Sequence, residues 1–299
     1  MIVNAKKWLK NKFLKKVMGI PSRSKYKFII KDWINLSDLN ACSRVLETKR
    51  FSRNLQPIQL NCPTAQKILV IAPHTDDDIL GAGGTLMKAI ENGSEVHTLY
   101  VTKGIVDQTK FETVKNETIA VCNKIGLYPH FIECHNGEIP LDDDTVSNKI
   151  ISLIKTIQPQ AIFISFFLDD HDDHRRVNHL LLMIFKNYKI PKIEIWAYQI
   201  YSSVIPNVTI NITNEAEKKK ELIHMWKSIS GNRDWAHYML GINAANCRYI
   251  SSKTPLYVET FFVVPIDEYL ELCHVYFDNN TNDIYYGDYY RNNSSKDNG

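Results

Sequence analysis

No stretch of this chain approaches the roughly 20 consecutive apolar residues of a bilayer-spanning helix. The most apolar internal run, Ala161 to Leu168, has only the length of a strand. Cysteine is sparse and scattered: Cys42, Cys62, Cys122, Cys134, Cys247 and Cys273 form no C-x-x-C pair. That pattern argues against a disulfide scaffold and for free thiols in a reducing compartment, so the expected location is cytoplasmic and the sequons at Asn207 and Asn211 are chance. Net charge is also nearly absent, at +3 over 299 residues, which excludes a general affinity for nucleic acid. No internal repeat is visible.

Acidic residues are missing altogether from positions 1 to 30, where Lys6, Lys7, Lys10, Lys12, Lys15, Lys16, Arg23, Lys25 and Lys27 alternate with Trp8, Leu9, Phe13, Leu14 and Val17. Lysines break up what would be the apolar centre of a secretory signal. A basic amphipathic helix here would either lie on an anionic membrane surface at the inner face or pack on the following domain with its lysines in water. Lys6 and Lys10 fall among the apolar positions and weaken the stripe. At the other end, the chain from Asp278 is dominated by Asn, Asp, Ser and Tyr with almost no aliphatic residues, too little to order itself unaided. The expected organisation is a basic extension and connection over 1–66, one domain over 67–265, and a mobile polar tail over 266–299.

Within 67–265, short apolar runs alternate with helical periods. Strands are expected at Lys67–Ala72, Glu95–Val101, His130–Cys134, Ala161–Leu168, Ile193–Tyr198 and Tyr257–Val264; helices at Lys110–Ile125, Thr145–Ile157, Arg175–Lys186 and Glu215–Lys227. Repeated βα units imply an α/β fold, a Rossmann-like three-layer sandwich with a mostly parallel central sheet.

Two polar clusters stand at the carboxyl ends of buried strands, where such sheets bind their ligands. After Lys67–Ala72 come His74, Asp76, Asp77 and Asp78, then Gly81, Gly83 and Gly84, beyond which a helical pattern resumes from Thr85. Three carboxylates this close repel one another unless solvated or neutralised by a cation; the plainer alternative is an Asp-rich turn capping the next helix. After Ala161–Leu168 the chain runs Asp169, Asp170, His171, Asp172, Asp173, His174, Arg175. The two clusters lie about a hundred residues apart in sequence but can meet in space. Jointly they supply His, Asp and His, a ligand mix suited to Zn²⁺ with one position open for water. Spacing does not choose between His171 and His174.

PHTDDD followed by LGAGGT, with HDDHR further on, resembles the PIG-L/LmbE-like family of metal-dependent N-acetylglucosaminyl deacetylases, over roughly Lys67 to Val264. The resemblance implies a Zn²⁺ hydrolase, or one using a similar divalent ion such as Fe²⁺, that removes the N-acetyl group from an amino sugar or its conjugate. It implies His74, Asp77 and His174 as metal ligands and Asp76 as general base for a metal-bound water. It further implies His171 as the histidine facing the developing oxyanion, with Asp173 orienting it; protonated, His171 would stabilise negative charge. Thr75 replaces the family's proline and Asp78 its Glu. Glu117 matches an acidic residue of the second helix, with Lys115 standing where an arginine is usual. Lys219, Leu222 and Ser228 follow the C-terminal helix pattern, which Trp226 and Ile229 break.

Arg233, Asp234, His237 and Asp107 are candidates for the mouth of the site, though surface decoration is the better reading of each; Trp226, Trp235 and Tyr238 could stack on a sugar face, but as ordinary core aromatics they need no such role. Three rival readings are weaker. Asp76 and Asp78 make the D-x-D of an Asp-nucleophile phosphatase, which would not need the second cluster. The glycines suggest a dinucleotide loop but lack its spacing and follow three aspartates. A non-enzymatic member of the fold would not be expected to keep every metal and base position.

Overall fold

The computed structural model describes residues 57 to 278, apart from 190 and 232, together with Arg44, Val45 and Thr48. The basic segment at positions 1–30 and the chain beyond Asp278 therefore lie outside the described residues.

Eight strands form one sheet: β1 (Ile58–Leu60), β2 (Lys67–Ala72), β3 (Glu95–Thr102), β4 (Tyr128–Cys134), β5 (Ala161–Ser165), β6 (Glu194–Tyr198), β7 (Val208–Asn211) and β8 (Val258–Pro265). Their order is β1-β7-β8-β6-β5-β2-β3-β4. Every neighbouring pair is parallel except those made by β8, which runs antiparallel to both β6 and β7. Central strands β2 and β5 are buried along almost their whole length, as continuous Ile/Val/Phe runs require when helices cover both faces. On one face lie α1 (Asp77–Glu91), α2 (Phe111–Ile125), α5 (Ala216–Ile223) and α6 (Trp235–Ala245); on the other lie α3 (Asp144–Ile157), α4 (Asp172–Asn187) and α7 (Ile266–Phe277). This is the expected Rossmann-like sandwich.

The chain leaves β2 toward β3 on one side, while β5 and β6 build outward on the other, so the order of strands reverses between β2 and β5. The two pair in register, Ile71 opposite Ile164, and their carboxyl ends open into the crevice where open α/β sheets bind ligands. Both polar clusters emerge there.

Three boundaries differ from the sequence reading, each for a physical reason. Helix α1 begins at Asp77 and runs straight through Gly81, Gly83 and Gly84. These glycines do not break the helix; they let it approach the sheet, since a Cβ on Gly81 would lie 2.1 Å from the Tyr198 ring and one on Gly84 would lie 2.6 Å from Ile212. Strand β5 ends at Ser165 and α4 starts at Asp172, because the Asp and His side chains of the second cluster supply the bonds that turn the chain. Finally, residue 265 does not end the compact unit. In α7, Ile266, Tyr269, Leu270, Cys273, Tyr276 and Phe277 are buried, and Tyr269 donates to Asn178 of α4 at 2.8 Å. A helical apolar period outweighs the polar composition that begins after it.

Candidate active site

The loop after β2 and the start of α1 place three consecutive aspartates in three different settings. Asp76 precedes the helix, and its backbone carbonyl accepts from the N–H of Ile79 and Leu80. Its carboxylate makes no capping bond, which removes the plainer reading of this residue. Asp77 turns inward: its Oδ2 accepts from the His74 backbone N–H at 2.7 Å and lies 3.0 Å from His74 Nδ1. Asp78 is buried and structural, accepting from Ile79 N–H at 2.8 Å and from the Tyr100 hydroxyl at 2.8 Å.

The second loop meets the first. His171 stands just before α4, and its Nδ1 accepts from the Asp173 backbone N–H at 3.2 Å. His174, one turn in, is fully buried, with Nε2 3.3 Å from Asp77 Oδ2 and Nδ1 3.1 Å from Asp169 Oδ1. Asp169 also accepts from the backbone N–H groups of His171, Tyr201 and Ser202, so it ties the β6–β7 connection to the site. The His74, His171 and His174 rings lie 4.7 to 5.3 Å apart, and each offers a nitrogen within 4.8 Å of the others. Six positions singled out in the sequence, His74, Asp76, Asp77, His171, Asp173 and His174, thus gather at one crevice.

One expected contact is replaced. Asp173 meets the His171 ring through its backbone N–H and not its carboxylate, whose Oδ2 lies 3.1 Å from His74 Nε2 and whose two oxygens both accept from Gly137 N–H. Asp173 is inside the first turn of α4, whereas His171 precedes the helix as its cap. The loop after β4 that carries Gly137 showed no signal in the sequence, because a backbone donor can come from any residue type.

Charge explains the rest. Burial pushes the Asp76 carboxyl up to about 7, with Asp77's charge adding to it, and burial likewise lifts Asp78 to about 7. For Asp77, burial acts upward, but His174 and His74 outweigh it and hold the group well below the usual carboxylate range. Burial would depress His74 and His174, yet Asp77 leads the carboxylates that reverse it, raising His74 well above its ordinary value and His174 to about 9. His171 goes the other way: burial, then the positive rings of His74 and His174, lower it to about 3. The protonated His171 expected from the sequence is therefore not what these surroundings favour; a neutral imidazole is, with its proton on Nε2 because Nδ1 is an acceptor.

The donor set fits a divalent cation. Protons on His74 and His174 supply the positive charge that the buried Asp77, Asp169 and Asp173 demand, which is the role an ion takes when present. Despite the short approaches, neither ring nitrogen of His174 has an aligned hydrogen bond. A buried imidazole left in that state is oriented for something other than the nearby carboxylates.

Beside the centre, Asp76 lines a cleft of about 150 Å³ with Ile223, Lys227, Ile229, Arg233 and Trp235. Arg233 stacks over Trp235 at 5.4 Å. Glu117 shapes this wall from behind, accepting from Ser228 Oγ at 3.0 Å and Ser228 N–H at 3.2 Å. Trp226 also lines the cleft, but it is almost wholly buried and donates to Thr118 Oγ1 at 3.0 Å. Asp234 caps α6, accepting from His237 N–H, and exposed Asp107 accepts from Thr109. Lys115 pairs with Glu133, away from the centre. The five described cysteines are all free thiols. Among the described residues no helix is long and apolar enough to cross a membrane.

Comparison with known proteins agrees with this geometry. A solved structure of N,N'-diacetylchitobiose deacetylase from Pyrococcus horikoshii is similar over 78% of this chain and 94% of its own, with a TM-score of 0.58 at 22% identity. The 4-carboxy-2-hydroxymuconate hydratase of Pseudomonas putida KT2440 is similar over 67% of this chain and 96% of its own, with a TM-score of 0.55 at 18% identity. The zinc-inhibited form of a teicoplanin deacetylase gives a TM-score of 0.51 at 14% identity over 67% of this chain and 98% of its own. At these identities the likeness establishes the fold. In sequence, 53 residues are 36% identical to a glucosamine-6-phosphate deaminase-like protein of Bacteroides thetaiotaomicron, of which the chain spans only 8%. Residues 69–185, the segment that carries both polar loops, match the family model described as PIG-L, GlcNAc-PI de-N-acetylase. Over that segment, somewhat more than a third of its length, the chain is similar to the PIG-L family.

Proposed function

We propose that this protein is a divalent-metal-dependent N-deacetylase that releases acetate from an N-acetylated amino sugar or its conjugate. The observation that carries the proposal is the meeting of His74 Nδ1 and His174 Nε2 on Asp77 Oδ2, with the uncapped carboxylate of Asp76 next to them at the floor of a cleft. The fold alone does not select this reaction, since a hydratase shares it; the family match and the donor set do.

His74, Asp77 and His174 would hold Zn²⁺ or a similar ion. When bound, such an ion polarises an amide carbonyl and brings a coordinated water to a usable pKa. Asp76 takes the proton of the attacking water and returns it to the nitrogen as the C–N bond breaks. That role needs the carboxylate form, so turnover falls as pH drops through the range near 7 to which burial raises Asp76; a cation beside Asp77 shifts this limb to lower pH. His171 presents a neutral Nε2–H toward the same space, and Asp173 keeps His74 in place through its Nε2.

The test is acetate release from a panel of N-acetylated sugars and conjugates by the metal-loaded protein. Activity should vanish on chelation and return with one equivalent of ion; a loaded protein that releases acetate from none of them refutes the proposal. Metal uptake carries its own signature. His74 is raised well above its ordinary value and His174 to about 9, so at pH 7 both hold protons that ligation must displace. Calorimetry in buffers of different ionisation enthalpy should show close to two protons released per ion, and apparent affinity should climb as pH rises through the neutral range. Release near zero would show the imidazoles already neutral.

Residues 1–30, with nine basic and no acidic side chains, are proposed to bring the enzyme to an anionic membrane surface, which favours a lipid-linked or membrane-proximal glycan as substrate. Deleting them should reduce co-sedimentation with phosphatidylserine vesicles; unchanged partitioning retires the idea.

A further inference from the structure

We infer that Tyr201 is a further catalytic residue, its hydroxyl donating a hydrogen bond to the acyl oxygen of the substrate. The inference rests on the deacetylase reading above. Tyr201 lies outside both polar loops, in the connection between β6 and β7, so nothing in the motifs points to it. Its backbone N–H donates to Asp169 Oδ2 at 3.0 Å, and the other oxygen of that carboxylate lies 3.1 Å from His174 Nδ1. The position of Tyr201 is thereby tied to the position of His174.

The ring stacks on His174 at 5.4 Å and 22°, and on His171 at 5.9 Å and 28°. On its other side it meets Trp235 at 5.9 Å and Tyr238 at 6.5 Å, and Trp235 lines the cleft that Asp76 floors. The phenol therefore stands where the imidazole cluster gives way to the aromatic wall of the cleft. Stacking explains the ring, but a phenylalanine would stack as well; the hydroxyl is unexplained. Of the other tyrosines near this face, Tyr100 donates to Asp78 at 2.8 Å and Tyr238 to the Ile200 carbonyl at 3.3 Å, while the Tyr198 hydroxyl is buried without a partner. None of the described residues accepts from Tyr201. The Tyr201 hydroxyl is also not sealed in the interior, as that of Tyr198 is, so an entering ligand can replace water as its acceptor.

A substrate acyl group supplies it. As water attacks, its oxygen bonds to the acyl carbon and the carbonyl π pair moves onto the acyl oxygen. A fixed neutral donor beside that oxygen gains strength as the charge grows, which lowers the barrier without improving ground-state binding by the same amount. Burial, with the charges of Asp77 and Asp76 nearby, holds the phenol above its ordinary value, so it keeps its proton throughout.

Tyr201→Phe retains the ring and removes only the hydroxyl. Expected are a fall in kcat of about 10²-fold, KM within about threefold, and unchanged metal content and unfolding midpoint. Affinity for a methylphosphonamidate analogue, whose tetrahedral oxygens mimic the oxyanion, should fall by a similar factor, while affinity for the free amine product stays as in the wild type. Wild-type kcat in the variant overturns the inference; so does loss of metal, or equal weakening of analogue and product, either of which would make Tyr201 a packing residue. If the wild-type protein releases no acetate from any N-acetylated sugar, the deacetylase reading falls and this inference with it. An active wild type with an equally active variant removes Tyr201 alone.

Discussion

Asp76→Asn should keep a full equivalent of metal while losing turnover by about 10²- to 10⁴-fold. The reason lies in the division of the three aspartates. Asp77 is the one drawn between His74 and His174, and Asp78 is consumed by Tyr100 and Ile79, whereas Asp76 makes no capping bond and opens on the cleft. Asparagine preserves its shape and removes only its ability to accept a proton. The same substitution has a second, opposite signature in stability. In the metal-free fold Asp76 is raised from its ordinary 3.8 to about 7, so the folded state binds the proton more tightly than the unfolded one. Above about pH 7 the buried charge is therefore unfavourable, and stability from this group declines as pH rises between those values. Metal-free Asp76→Asn should consequently unfold at higher urea than wild type at pH 8, with the difference shrinking toward pH 5. Normal turnover in the variant would assign the base elsewhere; a loss of metal would make Asp76 a ligand.

Lys219→Met should destabilise the fold by about 3–5 kcal/mol, measured by urea unfolding. Lys219 and Glu259 are fully buried and 2.7 Å apart. The Lys219 ammonium also donates to Asn243 Oδ1 at 3.1 Å, and the Glu259 carboxylate accepts from the backbone N–H groups of Gly84 and Thr85. Four elements, α5, α6, β8 and the middle of α1, therefore meet at one ion pair remote from the two histidine loops. Replacing the lysine strands an uncompensated carboxylate inside the core. Because α1 begins at the ligand Asp77, a shifted helix would also disturb the metal centre, so metal affinity should weaken in parallel. A change below about 1 kcal/mol would mean that the backbone N–H groups of Gly84 and Thr85 suffice to hold the carboxylate.

The central fold was legible because its signals are local. Continuous apolar runs such as Lys67–Ala72 can only be strands covered on both faces, and their alternation with helical periods requires parallel crossover units. The edges were less legible. β1 and β7 are three and four residues long, too short for a period to show, and the antiparallel placement of β8 depends on partners far along the chain. Helix α7 was lost in the polar composition of the tail, although Ile266, Leu270, Cys273 and Phe277 already trace one helical face.

At the site, residue types and their place at strand ends were enough to single out His74, Asp76, Asp77, His171, Asp173 and His174, since few other combinations can neutralise so many carboxylates at the mouth of a parallel sheet. What each of them touches could not be read, because a contact depends on side-chain direction across two loops about a hundred residues apart. The Asp173 carboxylate turns to His74 and Gly137 from inside a helix that begins at Asp172, three residues before the expected Arg175, and Tyr201 arrives from a third connection with no pattern of its own. The chemistry on offer was thus written in the order of the residues, whereas the pairing of donors, acceptors and charges came from the packing of α1 and α4 against the sheet.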